Sequence, residues 1–282
     1  MRFSHLLVGG LSLVAATPAF AQDDTAPPPP VTISGSAAIV SDYRFRGVSQ
    51  SDEDVAVQAG VTVAHESGLY GGFWGSNLAG WGTFGGANLE LDIIGGYKFK
   101  PTEDVTLDVG VTYYMYPGGA DKTDFFEPYA KVSGSLGPAS LTAGVAYAPA
   151  QEALGRWYFT GADAAAGVYN DPGDKEDNLY VWVDASTAVP STPFTAKAHV
   201  GFSDGNRGLG PNATSVAPTG KYFDWMVGVD TTFKNLTLGV SYVGTDISAR
   251  DAEYLRPSFS NGQDGSGNIA DGTFLFSLTA AF

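Results

Sequence analysis

The chain has 282 residues, a formal net charge of −15, 37 Gly and no Cys; 44% of it is apolar and only 16% charged. That charge argues against a nucleic-acid partner, because phosphate binding needs a basic face, and the lack of Cys removes disulfide and thiol chemistry. Charged content far below the usual quarter or so, without the ~20 consecutive apolar residues of a spanning helix in the mature chain, fits a membrane β-barrel, whose apolar residues are spread along alternating strand positions.

Residues 1–21 read as a signal peptide. Arg2 and His5 form a short polar start, residues 6–16 an apolar stretch, and Ala19-Phe20-Ala21 a small-x-small cleavage site. The mature chain then begins at Gln22 and is exported. No Cys follows the cleavage site, which argues against a lipoprotein. Residues 22–30 end in the run Pro27 to Pro30, an extended stretch that cannot pair as a central strand and is expected to be a periplasmic leader.

Residues 31–282 are expected to form one all-β domain, a transmembrane antiparallel up-and-down β-barrel of about 12 strands with short periplasmic turns and long extracellular loops. Period-2 patterning places strands near 31–46, 54–65, 68–78, 87–99, 103–116, 124–136, 139–148, 177–188, 193–204, 221–234, 235–247 and 270–282. In the fifth, Val105, Leu107, Val109, Val111 and Tyr113 oppose Thr106, Asp108, Gly110, Thr112 and Tyr114. In the last, Phe274, Phe276, Leu278, Ala280 and Phe282 share one face. Connections after even strands are short: 66–68, 100–102, 137–138, 189–192 and 234–235. Those after odd strands are longer: 47–53, 79–86, 117–123, 149–176, 205–220 and 248–269. This alternation is how outer-membrane barrels are built, and an even strand count puts both termini on the periplasmic side. The 149–176 connection carries Arg156-Trp157-Tyr158-Phe159, which could fold inward or form an extra hairpin.

Alternation alone does not say which face is inside. The signal peptide, the repeated charges on the minority face, and aromatics near strand ends (Tyr43, Phe45, Tyr70, Tyr97, Phe99, Tyr113, Phe202, Phe223, Trp225 and Phe233) favour apolar side chains outward, toward lipid and lipopolysaccharide. The lumen face then carries Asp42, Arg44, Arg46, Glu90, Asp92, Lys98, Asp108, Glu127, Lys131, Asp184, Lys197, His199, Asp224 and Asp230. Acids outnumber bases there, so a channel through it is expected to prefer cations mildly.

Beyond this patterning, the run Val40-Ser41-Asp42-Tyr43-Arg44-Phe45-Arg46-Gly47-Val48-Ser49-Gln50 resembles the first-strand motif of the TorF-like porins of proteobacteria. Weaker Gly/aromatic matches follow in Gly68-Leu69-Tyr70-Gly71-Gly72-Phe73-Trp74-Gly75-Ser76-Asn77 and Leu89-Glu90-Leu91-Asp92-Ile93-Ile94-Gly95-Gly96-Tyr97. The resemblance covers the first half of the mature chain. It implies an outer-membrane protein with a channel role and no defined substrate. The terminal Phe282 resembles the aromatic signal that the barrel-assembly machinery reads.

Other chemistries find little support. After signal removal only His65 and His199 remain, too few for a His-rich metal site. No G-x-S-x-G elbow occurs, and the Gly-rich 82–86 stretch lacks the Lys-Ser/Thr of a phosphate loop. Asn261 to Asn268 has the Gly/Asp content of a calcium loop without its repeat or bidentate Glu. No cofactor is expected and an enzyme is not. The leading expectation is passive diffusion of ions or small polar solutes. Its competitors are a structural or surface-interaction barrel with a closed lumen and, further behind, a lipid-processing barrel enzyme.

Overall fold

A computed structural model describes residues 30–83, 86–119, 122–155, 166–168, 173–205, 220–252 and 268–282. The expected signal peptide (1–21), the expected leader up to Pro29, Arg156 to Phe159 and residues 261–267 lie outside them. Twelve strands close into one antiparallel ring: β1 (Val31–Val40), β4 (Ala56–His65), β5 (Leu69–Asn77), β6 (Leu89–Phe99), β7 (Val105–Met115), β8 (Phe125–Leu136), β9 (Ala139–Gln151), β10 (Glu176–Ala188), β11 (Phe194–Asp204), β12 (Lys221–Phe233), β13 (Leu236–Thr245) and β14 (Thr273–Ala281). The two remaining strands, β2 (Arg44–Phe45) and β3 (Val48–Ser49), pair only with each other. The ring is therefore the expected twelve-strand barrel. Closure pairs every edge, the condition for a sheet to stand in hydrocarbon.

The apolar face points outward. Ile33, Val57, Phe73, Val109, Leu238 and Phe274 are exposed, while Asp108, Thr112, Glu127, Asp184 and Asp230 on alternate positions are buried. A soluble barrel would invert this. Of the aromatics expected at the interfaces, Tyr97, Tyr113, Phe223, Trp225 and Phe233 are exposed on the outside. Tyr43 is buried within the molecule, Phe45 packs inside with its ring 5.9 Å from that of Tyr114, and Tyr70 turns inward, its hydroxyl on Asp108 at 2.6 Å. These three are corrections: Tyr43 and Phe45 lie past the end of β1 in a segment that leaves the wall, and Tyr70 falls on the inward face of its strand.

The wall closes where β1 meets β14. Beyond the paired strand residues, Gly35 and Phe282 exchange both backbone hydrogen bonds at 2.9 Å. The seam thus joins the first wall strand to the last residue.

The first strand is shorter than expected. The alternation through Arg46 predicts wall, but β1 leaves the ring after Val40 and residues 41–52 fold into the barrel, while 53–55 are exposed on the way to β4. The ladder ends at Ser41, whose N–H donates to the Phe276 carbonyl at 2.9 Å while its Oγ accepts from the Phe276 N–H at 3.0 Å. β2 and β3 then form a hairpin with a two-residue loop, Arg46-Gly47, at φ of 47° and 80°. Two positive φ values are what a primed hairpin turn demands. A cluster of buried apolar residues, among them Tyr43, Val48, Leu78, Tyr114, Phe125, Leu154, Tyr222 and Ile269, gathers around this fold-in.

Candidate functional site

Asp42 organises the fold-in. Its carboxylate accepts from Ser49 Oγ at 2.5 Å, Ser51 Oγ at 3.1 Å and Arg44 Nε at 2.5 Å. Arg44 also donates to the carbonyls of Gly47 and Ile269 and to Glu53. On the ring side, the Ser49 N–H reaches the Ile269 carbonyl and the Ala79 N–H the Gln50 carbonyl. The segment is bonded to the residues around it at several points along its length.

Arg46, at the hairpin tip, reaches the far wall. Its Nη2 donates to both Glu127 oxygens at 2.7 Å, and its guanidinium lies 4.0 Å over the Tyr180 ring. Burial alone would depress the Arg46 pKa, but the Glu127 carboxylate outweighs it and holds the group charged. Next to it, a Cβ on Gly47 would come within 2.4 Å of Thr245 Cγ2 and 3.0 Å of Asp224 Cβ. The tip therefore spans from β8 and β10 to β12 and β13. Tyr43 donates to Glu90 Oε1 at 3.0 Å. Burial pushes the Tyr43 phenol well up, with Glu90 and Asp92 adding to it, so the hydroxyl stays a neutral donor.

The charged wall residues named from the sequence fall into separate groups. Lys98 and Lys131 both face Asp108, at 3.7 and 3.4 Å, beside Tyr70 and Tyr129, whose hydroxyls touch each other. His199 sits between Asp184 at 2.6 Å and Asp224 at 3.0 Å, with Tyr180 at 2.9 Å. Lys197 pairs with Asp230 at 2.7 Å. Glu90 accepts from Tyr43, and Asp92 is fully buried with neither carboxylate oxygen hydrogen-bonded. After this pairing, the acids without a basic partner in the list above are Glu90 and Asp92. Asp42, Arg44 and Arg46 belong to the fold-in and do not line strand one, as the alternation had suggested.

The Lys197–Asp230 pair, only 5% and 6% exposed in its side chains, offers a direct stability test. Lys197→Met leaves Asp230 buried without its cation and should cost about 3 kcal/mol. Urea unfolding in lipid vesicles measures it, and adding Asp230→Leu should restore most of the loss.

Inward aromatics are what sequence reasoning missed at Tyr70, Tyr129, Tyr180 and Trp182; the alternation of β7 does place Tyr114 inward with Asp108. Each of three sits opposite a Gly on the next strand, in the pairs Tyr70–Gly96, Tyr129–Gly110 and Trp182–Gly144. A Cβ at Gly144 would lie 2.3 Å from the Trp182 ring. The missing side chain makes room for the ring, a signal readable only once the register is known.

His65 Nδ1 touches Ser67 Oγ at 2.9 Å and also takes the Ser67 N–H at 3.1 Å. The two residues close a local turn with two bonds to one ring nitrogen. Among the described residues no group of three or more His, Asp or Glu converges as a metal site would require.

A family model for bacterial proteins of unknown function, Gcw_chp, matches residues 24–282. No curated protein matches the chain. Among solved structures the chain is similar to a KdgM porin in complex with disordered oligogalacturonate, at 7% identity over 89% of this chain and 98% of that one, with a TM-score of 0.47. It is also similar to an outer-membrane channel from Pseudomonas putida F1, at 10% identity over 91% and 96%, with a TM-score of 0.44. A further porin matches at 8% identity over 89% and 100%, with a TM-score of 0.41.

Proposed function

We propose that this chain, which belongs to the Gcw_chp family of bacterial proteins of unknown function, is an outer-membrane channel that passes ions or small polar solutes by passive diffusion through a lumen narrowed by its own 41–52 segment. The observation that carries the reading is the orientation of the wall: apolar side chains outward, charges and hydroxyls inward, in a ring with no open edge. A barrel of twelve strands is wider than the side-chain-filled eight-strand type and narrower than a sixteen-strand porin. Part of its inner wall is small and hydroxylated: Ser34 and Ser36 on β1, Thr62 on β4, Ser277 and Thr279 on β14 are all half-buried. These residues leave space along that side, whereas the bulky rings and ion pairs crowd the side from β5 to β12. The Asp-Tyr-Arg-Phe-Arg-Gly-Val-Ser run also supports kinship with the TorF-like porins.

The test is single-channel conductance of the refolded protein in planar bilayers. Steady openings support the channel. Silence from a correctly folded barrel, with binding of a surface ligand to the extracellular loops, would support the closed-lumen reading instead. The same experiment reads selectivity. A mild cation preference is expected because acids outnumber bases on the lumen face. A reversal potential showing anion preference would overturn it.

A further inference from the structure

The 41–52 segment is a loop laid into the barrel and not a part of its wall. The ring strands on either side of it meet at one rim, where Val40 pairs with Ala56, so the segment can leave the lumen without breaking a β1–β4 pair. Its backbone is strained at both the tip and the exit: Arg46, Asp52 and Glu53 have φ of 47°, 59° and 65°, a region unfavourable for residues with a side chain and recurrent in switch segments. Contacts beyond the segment must therefore hold it down. They include the tip, where Arg46 meets Glu127 and Tyr180, the Gln50 carbonyl, which takes the Ala79 N–H, and a turn at the same rim, Asn268 to Asp271.

This turn directs three successive carbonyls inward. Arg44 Nη1 donates to those of Ile269 at 2.6 Å and Asp271 at 3.2 Å, and Thr245 Oγ1 donates to that of Ala270 at 2.9 Å. The Ser49 N–H adds a second bond to the Ile269 carbonyl. Thr245 is also the residue that a Cβ on Gly47 would strike, so the hairpin loop and the turn lean on one side chain. The three carbonyls converge only while the turn keeps its shape, and Asn268 sets that shape. Its Oδ1 takes the Ala270 N–H at 3.1 Å and its Nδ2 donates to Asp271 Oδ1 at 2.7 Å. Only 3% of the Arg44 side chain is exposed. If the turn opened with the segment in place, a buried guanidinium would lose acceptors that water does not replace, which is strongly unfavourable. Undocking the segment relieves this, so turn and segment dock together and leave together.

We propose that the 41–52 segment is a gate and the 268–271 turn its latch: displacing the turn at the outer rim undocks the base of the segment and opens the lumen. The inference rests on the channel reading and adds a control point to it. The turn joins the long β13–β14 connection to the wall, which makes that connection the handle of the gate. Tip and latch are separate holds. Losing the Arg46 contacts frees the tip, and losing the turn frees the base.

The chain has no Cys, so one introduced thiol reports docking. Val48, 1% exposed on β3, is changed to Cys in the refolded full-length protein, and its reaction with a water-soluble maleimide is timed in vesicles. In that background Asn268→Ala alters the turn alone and should speed labelling about tenfold, as the loss of two hydrogen bonds does. Arg44→Lys keeps the charge without the planar fork that spans two carbonyls and should speed it as well. Ser248→Ala breaks a similar cap at the other end of the connection, where Ser248 Oγ bonds to Asp251, and should leave labelling unchanged. Single-channel conductance should rise in the first two variants and not in the third. Faster labelling of Asn268→Ala in a barrel that never conducts would overturn the channel and keep the latch. Normal conductance with labelling unaltered by Asn268→Ala and Arg44→Lys, or equally fast in Ser248→Ala, would overturn the latch and keep the channel.

Discussion

Arg46→Ala should raise single-channel conductance several-fold and make the current unsteady. The guanidinium is the deepest-reaching part of the fold-in, and it is held on three sides: by both oxygens of Glu127, by the Tyr180 ring and by the turn that carries it. Removing one member of a buried pair costs about 3–5 kcal/mol, because the other charge stays behind. A loss of about 3 kcal/mol would shift a docked-to-undocked equilibrium by roughly a hundredfold. The contacts of Arg44, Ser49 and Gln50 keep the base of the segment in place, so the tip is the part released. Arg46→Lys keeps the charge but loses the planar two-oxygen contact and the stacking, and should fall between wild type and Ala. Arg46→Ala combined with Glu127→Ala removes the stranded charge and should give a wide, steady pore. A folded Arg46→Ala barrel with wild-type conductance would show that the constriction lies elsewhere.

Arg46 also shows where sequence reading stops. Asp42-Tyr43-Arg44-Phe45-Arg46 alternates as a wall strand does, and only two of those residues form a strand, paired to Val48 and Ser49 instead of to the ring. Period 2 reports that a segment is extended; it does not report which neighbour it pairs with. The local clue was Gly47 after Arg46, a pair suited to a two-residue hairpin loop. By contrast the wall itself was legible. Its period, its short turns at 66–68 and 234–235 and its long connections follow from repeated local rules, and each strand repeats the same evidence. The pairing of the charges was not legible in this way. Arg46 with Glu127 and His199 with Asp184 and Asp224 join positions up to 81 residues apart, and depend on register and on the fold-in together. Leftover groups such as Asp92 become visible only after every other partner has been assigned.

The second large effect is expected at the seam. Gly35→Val should abolish formation of the closed barrel, read as loss of the faster-migrating folded band on unheated gels after refolding into vesicles. A Cβ at Gly35 would lie 2.6 Å from the Phe282 ring and 2.7 Å from the Gly60 carbonyl. The first neighbour can swing away, since Phe282 is 56% exposed on the outer surface. The second cannot, because it is backbone in the adjacent strand. Accommodation would have to shift β1 against β4 and strain the two bonds that Gly35 shares with Phe282. Only a residue without a side chain lets the terminal ring cover the strand junction while three backbones stay in register. Phe282→Ala separates the two causes. Alone, it keeps the backbone pairing and should refold with a modest loss of stability. Combined with Gly35→Val, it should fail to rescue the barrel if the Gly60 carbonyl is the obstacle. Recovery of the folded band in the double variant would instead make the ring the obstacle and leave the β1–β4 register tolerant of a side chain.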